Sequence, residues 1–197
     1  MLQKEFILEQ VLDVAHLPVL LGGDGIVAAQ AMAERIVETF QAHRKLIYCG
    51  FDNHRSIAAH LAGEMRNGLV MKRPPLPVSL LDTEEKKTKT GDPQENILPL
   101  EESLLQQLAA EGEENDTLLI LNSGKNKTLD SLLATAITMN LTTLVFSGYP
   151  RPKKTSPPYL FYIPSANPAR LEEVFLIMGH IICTLVESIL FSDGEGI

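Results

Sequence analysis

The chain has 197 residues, 45% of them hydrophobic and 21% charged, with a formal net charge of −8. That apolar content excludes a disordered chain and suffices for a sizeable core. The acidic balance argues against general nucleic-acid binding, because phosphate contacts need clustered Lys and Arg. Cys49 and Cys183 are the two cysteines, and they form neither a disulfide framework nor a spaced zinc motif. The start of the chain does not read as a signal peptide. The longest nearly apolar run, 174–186, is 13 residues and too short to span a bilayer. The expectation is one domain over 1–197, in the cytoplasm and away from membranes, with a helical segment over 1–43 and an α/β core over 44–190.

In chain order, the first 43 residues read as helix, broken into two pieces by the glycines at 22, 23 and 25. In the second piece Ile26, Ala29, Met32, Ala33, Ile36, Val37 and Phe40 recur at three- and four-residue spacing, one apolar helix face. Residues 46–50 form a short apolar run ending in glycine, the mark of a buried strand. Asp52 and Asn53 are expected to cap a helix carrying Ile57, Ala58, Leu61, Ala62 and Met65. A second strand is expected over 78–81, ending at Asp82 and Thr83, and residues 84–96 read as an exposed polar loop. A helix over 101–110 and a strand over 118–121 follow, the strand running into Asn122, Ser123 and Gly124. Next come a helix over about 128–139, a strand over 144–146, a Pro-rich basic loop over 149–158 and a strand over 160–163. Asn167 and Pro168 then open a long helix to about residue 190.

Strands alternating with helices at this spacing predict an α/β fold, a three-layer parallel sheet flanked by helices and preceded by N-terminal helices. Ligands of such sheets gather at the carboxyl ends of the strands. The last helix leaves almost no polar face from Val174 to Val186. A helix apolar all round must be buried all round, so part of it is expected to be covered by another subunit.

Several side chains at these positions can carry chemistry. His60 and Glu64 lie four apart on one helix face, as an acid and a base, as two ligands to a divalent metal, or as an ordinary surface pair. His180, in the apolar helix, is either a satisfied core histidine or a ligand. Glu172 lies eight residues before it, about 12 Å along the axis, so the two meet one small ligand only by reaching toward each other or by coming from different chains. The run 122–128 follows a strand and opens a helix, which suits a phosphate; the alternative is a polar turn with a helix cap. It is not a Walker A loop, since the first glycine is absent and Asn126 stands where Ser or Thr is needed.

Taken in order, three pieces resemble the SIS (sugar isomerase) domain, which is flavodoxin-like or Rossmann-like in fold. Within it they are most similar to the phosphoheptose isomerase family and to that family's non-enzymatic relative, the DnaA initiator-associating protein. The pieces are residues 46–65 (LIYCGFDNHRSIAAHLAGEM), 118–133 and 169–187 (ARLEEVFLIMGHIICTLVE). The resemblance covers about residues 30 to 190. It places His60, Glu64, Glu172 and His180 on a site that holds zinc in many members, with Glu64 and His180 catalytic. It places Asn53, His54, Asp82, Asn122, Ser123, Gly124 and Asn126 on positions that bind the substrate or its phosphate. What it implies is a homotetramer that isomerises an aldose-ketose sugar phosphate, such as sedoheptulose 7-phosphate, through an enediol.

The chain also departs from the family pattern. Phe51, Asp52, Asn53 and His54 replace a first phosphate loop rich in Gly, Asn and Ser, and the Asp52 carboxylate near a helix start opposes an anion. Leu121 and Asn122 replace Ser and Thr in the second loop, Asn126 falls on a later Ser, and Glu172 falls on a Gln position, where added negative charge favours a cation. The phosphate is then held differently, by Lys125, Lys127 or His54, or the substrate is another sugar phosphate, or catalysis has been lost. Two readings follow: a phosphosugar isomerase, or a silent regulatory module that senses a sugar phosphate or docks a protein such as a replication initiator. The initiator-associating relatives generally lack the Glu and the final His, so Glu64 and His180 favour the enzyme.

Overall fold

The computed structural model describes residues 2–20, 22–83, 99–124, 126–150 and 158–192. Helices α1 (Leu2–Leu20) and α2 (Gly22–Gln41) lead into β1 (Leu46–Gly50), a single 3-10 turn at Asp52–His54 and α3 (Arg55–Asn67). Then follow β2 (Val78–Leu80), α4 (Leu100–Glu111), β3 (Thr117–Asn122), α5 (Lys127–Thr138), β4 (Thr142–Ser147), β5 (Tyr159–Tyr162) and α6 (Pro168–Phe191). The strands form one sheet in the order β2-β1-β3-β4-β5, every neighbouring pair parallel.

Alternation along each strand decides which helices lie on which face. Leu46 and Tyr48 of β1, Leu119 and Leu121 of β3, and Leu144 and Phe146 of β4 share one core with residues of α2, α3 and α6. Ile47 and Cys49, Leu118 and Ile120, and Val145 face the other way, onto α4 and α5. Side chains of a strand point to opposite faces with period two, so strands buried on both sides read as continuous apolar runs. The chain passes from β1 outward to β2 and then back across to β3. The loops after β1 and β3 therefore diverge, and the crevice between them is where sheets of this order bind ligands.

Three expectations are corrected. Asp52 and Asn53 do not cap α3 with their side chains; they form the 3-10 turn, and no side chain caps the helix at His54. The physical reason is the tight fold-back of the turn over Gly50, with Asp52 in the left-handed region at φ 51°. A Cβ on Gly50 would lie 2.4 Å from the His54 carbonyl oxygen. Strands β3 and β4 also extend one or more residues further at each end than their apolar runs. Finally, α6 spans 24 residues and is long and apolar enough by length and composition to cross a membrane, unlike the 13-residue run inside it. Its apolar surface is explained in part by the core, where Val174, Phe175, Met178, Ile182 and Val186 are buried. The polar loop expected over 84–96 and most of the Pro-rich loop lie outside the described residues.

Helices α3 and α6 run side by side in the same direction. His60 meets His180, Leu61 faces Gly179, and the segment after α3 meets Glu187. At that last point Leu69, Val70 and Met71 donate their backbone N–H groups to the Glu187 carboxylate at 2.8, 2.9 and 3.2 Å. The Arg73 guanidinium approaches it at 3.0 Å, both side chains being almost wholly buried. Burial by itself would raise the Glu187 carboxyl, but the N–H groups of Val70, Leu69 and Met71, with Arg73, outweigh it and hold the group below its ordinary value.

Candidate functional site

The two loops at the switch point are built differently. After β1 the backbone N–H groups are used within the protein: Phe51 donates to Leu121, His54 to Phe51 and Arg55 to Asp52. His54 is buried, its ring edge-on to Phe175 with centroids 4.9 Å apart, and its Nδ1 has no hydrogen-bond partner among the described residues. Burial lowers its pKa below the ordinary histidine value, against the opposing pull of Glu172 and Asp52. Asn53 is exposed. At the end of β2, Asp82 is fixed through its backbone, its N–H donating to Gln107 Oε1 at 2.8 Å and its carbonyl accepting from Gln107 Nε2 at 2.9 Å. Its carboxylate lies 4.0 Å from the Arg55 guanidinium.

After β3 the chain is more open. Asn122 is buried and donates its amide to the Gly124 carbonyl, while Ser123 and Gly124 are half-buried. Gly124 is required by close approach, since a Cβ there would lie 2.9 Å from the Tyr149 carbonyl oxygen. Asn126 caps α5, accepting from the Thr128 N–H at 2.9 Å. Its side chain thus takes the helix-cap role, one of the two readings of this run. Lys125 lies outside the described residues, and Lys127 is exposed in the first turn of α5.

One helical layer away, on the α3–α6 seam, His60 Nε2 and His180 Nε2 are 2.9 Å apart, the rings at 71°. At that distance one nitrogen carries the proton and the other accepts it. His60 is exposed and His180 half-buried, so the pair can exchange protons with a ligand or water. Glu64 lies one turn further along α3, half-buried. Its charge reaches the Cys183 thiol, which burial first, then Glu187 and Glu64, push up to about 12. The structure therefore brings His60 and His180 into contact, with Glu64 one turn further along α3. Glu172 is placed elsewhere, within electrostatic reach of His54.

The side chains expected to hold a metal are, among the described residues, not drawn into one cluster. Among the described residues no group of three or more His, Cys, Asp and Glu side chains comes together that could hold a metal ion. A catalytic zinc ordinarily takes three protein ligands, and His60 and His180 offer two nitrogens. Residues that sequence reasoning passed over also shape the site: Arg55 beside Asp82, Phe175 against His54, Gln107 on the Asp82 backbone and Gly179 beside His180. Only Gly179 left a signal in the sequence, as the one glycine in a helix of bulky residues.

No protein-family model matches the chain. Among curated proteins, it is similar to a phosphoheptose isomerase from Roseiflexus sp., 30% identical over 165 residues, covering 83% of this chain and 82% of that protein. Among solved structures, it resembles a phosphoheptose isomerase from Francisella tularensis with a TM-score of 0.78 and 21% identity, over 95% of this chain and 100% of the other. A phosphoheptose isomerase from Neisseria gonorrhoeae gives a TM-score of 0.77 at 17% identity, over 95% and 100% of the two chains.

Proposed function

The chain belongs to the phosphoheptose isomerase family, and on that premise we propose that it interconverts the aldose and ketose forms of a sugar phosphate, with sedoheptulose 7-phosphate as the reference substrate. The observation that carries this reading is the His60–His180 contact at 2.9 Å with Glu64 one turn along the same seam. Aldose-ketose isomerisation moves one proton between adjacent carbons and another between their oxygens. Glu64 takes the proton from C2 of the aldose, leaving an enediol, and returns it to C1. His180 gives a proton to the C1 carbonyl oxygen and receives one from the C2 hydroxyl, and His60 fixes which of its nitrogens is protonated. Acid-base steps of this kind contribute about 10²–10⁴-fold each.

The phosphate is held at 122–128, with Ser123 and the N–H groups at the start of α5 other than that of Thr128, which Asn126 caps, as donors. What supports this is the contrast between the loops, because the N–H groups of Phe51, His54 and Arg55 are already used while α5 opens onto the loop after β3. Among the described residues no three ligands come together in one chain, so no step is routed through a metal; in this reading a zinc site belongs to the assembled oligomer. The oligomer, a tetramer by resemblance, is supported by exposed Ile177, Ile181 and Ile189 on α6 and by exposed Phe6, Ile7 and Val11 on α1. The enzyme is favoured over the silent module because His60, Glu64 and His180 are present together and the relatives are named as isomerases.

The test is turnover of sedoheptulose 7-phosphate by purified protein, with analytical ultracentrifugation and metal analysis on the same sample. Isomerisation by an oligomer is the expected result. No turnover of any C5 to C7 ketose phosphate would overturn the enzyme reading, and a single 21.7 kDa species would overturn the oligomer.

A further inference from the structure

We propose that Gly179 is the positioning residue of the histidine pair: having no side chain, it lets α6 close onto Leu61 of α3, and that approach sets His180 against His60. A glycine inside a helix costs about 1 kcal/mol relative to alanine, and the rest of the central part of α6 is bulky. A Cβ on Gly179 would lie 2.3 Å from Leu61 Cδ1, 2.6 Å from Cδ2 and 3.0 Å from Cγ. Leu61 would press on packed neighbours in any shift to admit it. It is 1% exposed and belongs to the same core cluster as Phe175, Met178 and Ile182. Restoring ordinary carbon-carbon contact would require the helices to separate by roughly 1 Å.

The histidines flank this contact directly, His60 preceding Leu61 and His180 following Gly179. Their nitrogens are 2.9 Å apart, and a hydrogen bond stretched to about 3.6 Å is no longer one. On this packing, one methyl group at position 179 is expected to part the pair. The positional claim stands on packing alone; its consequence for catalysis rests on the isomerase reading above.

The experiment compares Gly179→Ala, Leu61→Ala and the double variant in the full-length protein. Two readouts are taken: kcat and KM on sedoheptulose 7-phosphate, and the nuclear Overhauser contact between the ring protons of His60 and His180 in histidine-labelled protein. Gly179→Ala is expected to lose the ring contact and to lower kcat about ten- to a hundredfold with KM within about threefold. The double variant is expected to regain the contact and most of kcat, because shortening Leu61 makes room for the methyl; Leu61→Ala alone keeps the contact. An intact contact in Gly179→Ala, or a double variant no better than it, overturns the proposal. Should Gly179→Ala not fold, the double variant decides by the presence or loss of the contact. Should the unaltered protein not isomerise, the isomerase reading fails, while the ring contacts of the variants still test the position of His180.

Discussion

Near the C-terminal end of the α3–α6 seam, Glu187 meets Arg73 and three backbone N–H groups, and both side chains are almost wholly buried. Two turns earlier on α6, His180 meets His60 at 2.9 Å, with solvent reaching both rings. The two pairs come from the same region of the fold, yet they differ in how far their bonding capacity is filled. A carboxylate with several donors has little left for a ligand, and it ties the 69–73 segment to α6. Two imidazoles that, among the described residues, bond only each other retain a donor and an acceptor for something else. Saturation and burial thus separate a structural pair from a chemical one more clearly than residue type does.

Breaking the chemical end should give the largest effect. Glu64→Gln is expected to lower kcat by about 10²–10⁴ while leaving the melting temperature and assembly unchanged, because the amide keeps the shape and cannot take a proton. His180→Ala should likewise remove turnover. Normal turnover by either variant would dissolve the contrast between the two ends.

At the structural end, Glu187→Gln should destabilise the fold by about 3–5 kcal/mol, the cost of breaking a buried pair, with kcat per folded molecule unchanged; urea unfolding and active-site titration measure the two separately. The pH dependence has a definite sign. The folded-state pKa of Glu187 is depressed, so its contribution is fully present above the unfolded carboxyl value. It is lost as pH falls through the folded value. Acid unfolding of the Glu187→Gln protein should therefore show less pH dependence in that range.

A smaller effect is expected at the loop after β3. Ser123→Ala should weaken sugar-phosphate binding by about 1–2 kcal/mol, one hydrogen bond to a charged group, as read by calorimetry. Unchanged affinity would move the anion elsewhere. The smallest change belongs to the loop after β1. His54→Phe replaces a buried ring whose Nδ1 has no partner among the described residues, and stability at pH 7 should change by less than about 1 kcal/mol. The folded-state pKa of His54 is lowered from 6.5, so the unaltered protein should lose stability as pH falls below that value, and His54→Phe should flatten that slope.

Most elements of this molecule were legible in one dimension, because period two and period 3.6 in apolar residues are local properties of a chain. The apolar runs at 46–50 and 118–121 announce buried strands, and Asn126 and Asn167 announce helix starts that the structure confirms as caps. The likeness of three segments to one family also put His60 and His180 on one site, and the two rings, 120 residues apart in the chain, are in contact. What the sequence could not say is which members of that set converge. The eight-residue rise between Glu172 and His180 is legible in the sequence, but only the fold sets one within electrostatic reach of His54 and the other against His60. Asp52 and Asn53 look like caps by type, but the fold-back over Gly50 decided their conformation. Gly179 matters only because Leu61, from another helix, occupies the space its side chain would need. Periodicity and capping follow from the backbone of each segment, whereas convergence depends on how packed helices divide a shared volume, and that is settled only when the whole core closes.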